Sequence, residues 1–147
     1  MTIIVTDAGF GEDELATGAF PTHTIDELQA TAPADLPENV ALAIANDADA
    51  DEIAPLFDHI ALIVIDFPSF ADGRGFSLAR RLRQAGYSGR LRAKGHVIAD
   101  QYAHARRVGF DEVAISDDLA ARQPENQWRA RAGWQDHFYQ KRLQAGA

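Results

Sequence analysis

The octapeptide Ile-Ala-Leu-Ile-Val-Ile-Asp-Phe, residues 60–67, constrains the fold more than any other stretch of the chain. Its apolar residues are continuous rather than alternating, the pattern of a central parallel strand covered on both faces. Parallel neighbours require crossover connections, and the flanking sequence supplies the pieces. Residues 40–46 form a second, mostly apolar run. Residues 47–59 begin with carboxylates, as helix N-termini prefer. Residues 75–86 read as a helix closed by Gly86, and residues 89–97 as a weaker strand. In residues 97–109, Ile98, Tyr102 and Ala105 recur at helical spacing, Arg106 and Arg107 suit the last turn, and Gly109 ends the helix. Residues 111–116 read as the last strand. This alternation in short units predicts an α/β protein: a single domain with a mainly parallel sheet flanked by helices. A flavodoxin-like or receiver-like topology is expected, with an incomplete barrel-like βα arrangement as the alternative.

Residues 2–6 read as a short strand and residues 10–20 as an acidic loop. Thr22 or Thr24 caps a short helix, and a Pro-containing connector follows. The chain thus divides into an N-terminal appendage (1–38), a βα core (39–118) and a C-terminal helical region (119–147). Pro124 suits the first turn of a final helix. Trp128, Trp134, Phe138 and Tyr139 make this tail aromatic. It either packs back on the domain or forms a homodimer or partner surface.

The net charge of −8 conceals an asymmetry. Residues 1–72 hold 15 Asp and Glu and no Lys or Arg, whereas residues 73–147 hold all 14 basic residues and only seven acids. Nine of those basic residues lie between Arg74 and Arg107, with Asp100 as the one acid. Arginine predominates, and its planar fork of donors suits carboxylate, phosphate or sulfate oxygens. Either the two halves neutralise each other across the fold, or the basic segment recruits an acidic ligand or protein.

The junction after the central strand, Asp-Phe-Pro-Ser-Phe-Ala-Asp-Gly-Arg-Gly-Phe-Ser, is the first candidate site. A strand ending near Asp66 delivers this loop to the carboxyl edge of the sheet, where open α/β folds bind ligands. Asp72 is a cap candidate. Arg74 falls at a helix N-terminus, whose free N–H groups favour anions, and the Ser77 hydroxyl is near. Arg92 follows the next strand in a similar position and is expected to converge with Arg74. Asp100, Gln101 and Arg107 complete the set, with Asp100 read as a structural counter-ion. The glycine spacing is that of neither a P-loop nor a dinucleotide-binding turn.

Several chemistries lose support on composition alone. With no cysteine, there is no disulfide, thiol nucleophile or cysteine-ligated cluster. The five histidines are dispersed without ligand spacing, so no metal site is expected. The overall acidity argues against nucleic acid as a partner. No apolar run spans a bilayer and the N-terminus does not resemble a signal peptide, so a cytoplasmic location without a membrane partner is expected.

The pattern F-P-x-F-x-D-G-R-G-F-S-x-A-R-x-L-R, then L-R-A-x-G-x-V-x-x-D-Q, then R-x-G-F-D resembles the bacterial domain-of-unknown-function 934 family, labelled as an oxidoreductase of sulfite reduction. The match runs from about Phe67 to Asp111 and more loosely upstream. It covers Asp72, Arg74, Ser77, Arg92, Asp100, Gln101 and Arg107. The resemblance implies the company of sulfite reductase and other sulfate-assimilation proteins. Where the family often carries a cysteine before the glycine of its last segment, this chain has Val108. The junction also resembles response-regulator receiver domains in shape. However, Asp66 lies only two residues before Pro68, the last strand lacks a lysine, and no acidic pair follows the first strand. The function expected is therefore an accessory of sulfite reduction acting through protein contacts, without a cofactor of its own. A small enzyme or sensor binding an oxyanion or nucleotide at Arg74 and Arg92 is the alternative.

Overall fold

The structure is a computed structural model, which describes residues 2–13, 21–69, 71 and 73–133. Among these residues seven strands form one sheet: β1 (Thr2–Thr6), β2 (Gly9–Glu12), β3 (Thr22–His23), β4 (Val40–Ile44), β5 (Ile60–Phe67), β6 (Arg90–Gly95) and β7 (Glu112–Ser116). Six helices accompany them: α1 (Ile25–Gln29), α2 (Ala50–Ile53), α3 (Arg74–Gln84), α4 (Tyr102–Val108), α5 (Asp117–Arg122) and α6 (Glu125–Arg129). The predicted α/β class, with a mainly parallel sheet flanked by helices in one domain, is the observed one. No helix among the described residues is long and apolar enough to cross a membrane.

The strand order is β2-β1-β7-β6-β5-β4-β3. From β3 to β7 the strands are parallel and each lies beside its successor. A flavodoxin-like sheet reverses its order at a switch point; this one does not. The order is that of the barrel-like alternative. Crossovers of one hand that always step in one direction put their helices on one face. The buried residues agree, because Leu28, Ile53, Leu78, Tyr102, Leu119 and Trp128, one from each helix, share a single core with Leu42, Ile63, Ile65, Leu91, Ala93 and Val113. On the opposite face Ala41, Leu62 and Val64 form a small separate cluster.

The stretch read as an N-terminal appendage supplies three of the seven strands. β1 pairs antiparallel with both β2 and β7, and β3 pairs with β4. The pattern hid β2 because Gly-Phe-Gly-Glu has little strand propensity; pairing with β1 makes it a strand. Thr24 is the cap of α1, its hydroxyl accepting from the Glu27 N–H at 3.2 Å. Helix α5 was not expected as a separate element; Ser116 caps it by accepting from the Leu119 N–H. Trp128 packs back on the domain, edge-on to Tyr102, and its Nε1 donates to the Gln123 carbonyl at 2.9 Å. Trp134, Phe138 and Tyr139 lie outside the described residues, as does any homodimer surface they form.

Candidate functional site

The Asp-Gly-Arg-Gly junction is built for packing at its second glycine. A Cβ on Gly75 would lie 2.7 Å from Cε1 of Phe67. Phe67 in turn packs at a tilt against Phe76 and edge-on against Phe110, at centroid separations of 5.0 and 5.8 Å. Gly75 thus lets α3 start flat against the end of β5. Asp72, the expected cap, lies outside the described residues. Gly73 occupies the N-cap position without a side-chain cap bond. Arg74 opens α3 and is exposed, and Ser77 is exposed one turn on.

Arg92 does not join them. Within β6, Leu91 and Ala93 face the helices, so Arg90, Arg92 and Lys94 face the other way. Arg92 is 1% exposed. Its Nη1 donates to Asp13 at 2.8 Å and its Nη2 to Glu112 at 3.4 Å. Glu112, also buried, accepts two further bonds from Arg90 at 2.6 and 3.0 Å. Arg74 and Arg92 therefore belong to opposite faces of the sheet, because the alternation of β6 sets the direction of Arg92 whatever loop follows it.

Asp100 and Gln101 are also held in local structure. Asp100 is exposed and pairs with Arg131 at 2.5 Å, the counter-ion role expected of it with a different arginine. Gln101 accepts from the Ile98 N–H at 3.0 Å, closing a turn that leads into α4.

Arg107 lies in a groove between the C-terminal half of α3 and the length of α4 from His104 onward. The groove has a volume of about 610 Å³ and is lined by Arg80, Arg83, Gln84, His104, Arg107 and Val108, with Gly109 at its end. Each helix contributes residues at i, i+3 and i+4, here 80/83/84 and 104/107/108, which places each trio on one face. The arginines have different roles. Arg83 is a clasp: its Nη1 donates to the carbonyls of Tyr87 (3.0 Å) and Gly89 (2.7 Å), and its Nη2 to the Gly109 carbonyl (2.7 Å) and Asp111 (3.0 Å). Gly109 has φ +118°, and a Cβ there would meet Arg83 Cγ at 2.6 Å. Arg80 and Arg107 are exposed and make no ion pair among the described residues. His104 packs at a tilt against Phe76 with ring centroids 4.6 Å apart, and burial, then Arg107 and Arg80, hold its pKa below the ordinary value. Arg80 and His104 were missed as site residues, although their helical spacing relative to Arg83 and Arg107 was visible.

The acidic first half does neutralise part of the basic second half. Asp13 takes Arg92. Asp7 takes Arg106 at 3.2 Å and also accepts from the Tyr102 hydroxyl; burial, and then this hydrogen bond, push that phenol well above its usual range. This neutralisation does not extend to Arg80 and Arg107. Among the described residues no three histidine or carboxylate side chains converge as a metal site would require.

No curated protein matches the chain. The match to a family is extensive and covers four of the five parallel strands and most of the helices, the whole α3–α4 groove included. With residues 41–146 matched, the chain belongs to the bacterial proteins of unknown function DUF934.

Proposed function

We propose that this protein is an accessory of assimilatory sulfite reduction that acts by contact, docking an acidic surface of sulfite reductase or of another sulfate-assimilation protein on the α3–α4 groove. The observation that carries the reading is the pair Arg80 and Arg107, exposed beside His104 without an ion pair among the described residues. Complementary charge of this kind steers encounter and fixes register more than it adds raw affinity. The sulfite-reduction part of the reading rests on the motif resemblance, and the docking part on the groove. An oxyanion or nucleotide site shared by Arg74 and Arg92 draws less support, because these side chains belong to opposite faces.

The test is a salt titration of binding between the purified protein and purified sulfite reductase. The double variant Arg80→Glu, Arg107→Glu should weaken binding by at least about tenfold and flatten its salt dependence. Folding should be unchanged, because both side chains are exposed. Absence of binding by the wild type at low salt would remove sulfite reductase as the partner, and equal binding by wild type and variant would overturn the groove as the docking surface.

A further inference from the structure

The face of the sheet opposite the helices carries a cleft of about 470 Å³, within the size range of small-molecule sites. Val64 and Ala114 contribute to its floor, and Asp13, Asp66, Arg92 and Lys94 supply its charges. Sheet register sets their spacing. Val64 lies beside Arg92 and Asp66 beside Lys94, while Lys94 is opposite Ala114 on the far side. Small and branched apolar side chains leave room at the centre, and charged ones stand around it.

Two features of this cleft are unexplained by the fold. Arg92 is almost wholly buried with two donor groups engaged, yet its Nε has no hydrogen-bond partner among the described residues. A buried donor left unmade is costly, and such a group calls for an explanation. Asp66 and Lys94 are exposed register partners that could neutralise each other, yet they form no ion pair among the described residues. The cleft therefore presents one carboxylate and one ammonium group side by side, neither in an ion pair among the described residues.

We infer that this cleft binds a small zwitterion of the α-amino acid class. Lys94 receives the ligand carboxylate, Asp66 receives its ammonium group, and an apolar side chain rests on Val64 and Ala114. A simple anion fits less well, because Asp66 and Asp13 balance Lys94 and Arg92 in formal charge and repel it. A simple cation meets the opposite difficulty. A ligand with both charges satisfies both sides, as charge-assisted hydrogen bonds from each end fix its orientation.

The experiment titrates the protein with each standard α-amino acid, using acetate and methylammonium as single-charge controls, and follows binding by calorimetry. At least one amino acid should bind saturably and neither control should. Asp66→Asn and Lys94→Gln, both at exposed positions, should each weaken that binding by about tenfold or more while leaving the melting temperature unchanged. The Arg80→Glu, Arg107→Glu variant should bind the amino acid as the wild type does, which separates this site from the docking groove. The inference is overturned if no amino acid binds, if acetate binds as well as the amino acids, or if both cleft variants retain wild-type affinity.

Discussion

Replacing Arg83 with methionine should cost the domain several times more stability than the same change at Arg80, three residues away on the same helix. Methionine keeps an unbranched stem of similar length and removes only the guanidinium. Three backbone carbonyls, of Tyr87, Gly89 and Gly109, then lose a charged donor, and Asp111 loses its partner. Hydrogen bonds to charged groups contribute about 1.5–3 kcal/mol each in protected sites. Arg83 is 26% exposed in its side chain, so water replaces part of what is lost. The bonds also share one cation and do not add. A total near 3 kcal/mol follows, or a melting temperature about 6–12 °C lower for a domain of this size. Arg80, exposed and without an ion pair among the described residues, should change stability by no more than about 0.5 kcal/mol. Urea unfolding followed by circular dichroism measures both, and an unchanged m-value shows that the comparison is sound. An Arg83→Met midpoint within about 1 kcal/mol of wild type would refute the clasp and return Arg83 to the docking surface.

Gly75→Ala should destabilise by about 1–3 kcal/mol through the clash with the Phe67 ring, read as a lower urea midpoint; an unchanged midpoint would mean that α3 shifts freely against β5. Glu112→Gln should lower stability by about 3 kcal/mol, because Arg90 and Arg92 then share a site without their common carboxylate. His104 gives a signed pH dependence. Its folded pKa lies below the ordinary 6.5, so between those values the unfolded chain binds more protons. Stability should therefore fall as pH drops below about 6.5 and be insensitive to this group above it. Subtracting the urea-midpoint profile of His104→Gln from that of the wild type isolates the component, and a difference rising toward low pH would contradict the assignment.

The elements legible in the sequence are those whose signal is local. Residues 60–67 became β5 with the expected boundaries because eight nearly uninterrupted apolar and β-branched residues admit few alternatives. Gly109 ended α4 because a left-handed residue was needed there. The winding of the sheet was not legible. A continuous apolar strand implied cover on both faces, yet only one face of β5 meets helices among the described residues, and Leu62 and Val64 are buried in a separate small cluster. Strand order depends on pairings distant in sequence, which no local period records. The placement of Arg92 was legible and was overlooked. Arg-Leu-Arg-Ala-Lys alternates with a period of two, and this alone puts Arg90, Arg92 and Lys94 on one side of a strand and away from the helix-borne Arg74. The division of the arginines into clasp and surface was beyond the sequence, because the carbonyls that hold Arg83 come from two separate loops, one of them 26 positions away.

The antiparallel docking of β1 on β7 also sets an order of events during synthesis. Val5 and Val113 are register partners 108 positions apart. At typical elongation rates of about 5–20 residues per second, the N-terminal hairpin waits roughly 5–20 s before its partner strand exists. The parallel strands have no such delay, since each pairs with a neighbour made shortly before it. The nascent chain therefore carries an unpaired strand edge while the rest of the sheet assembles. Asp13 and Arg92, and with them the helix-free cleft, meet only when that edge is finally seated. A permuted chain with residues 2–13 moved behind the last helix would shorten the wait and should fold with less loss to aggregation at the same final stability.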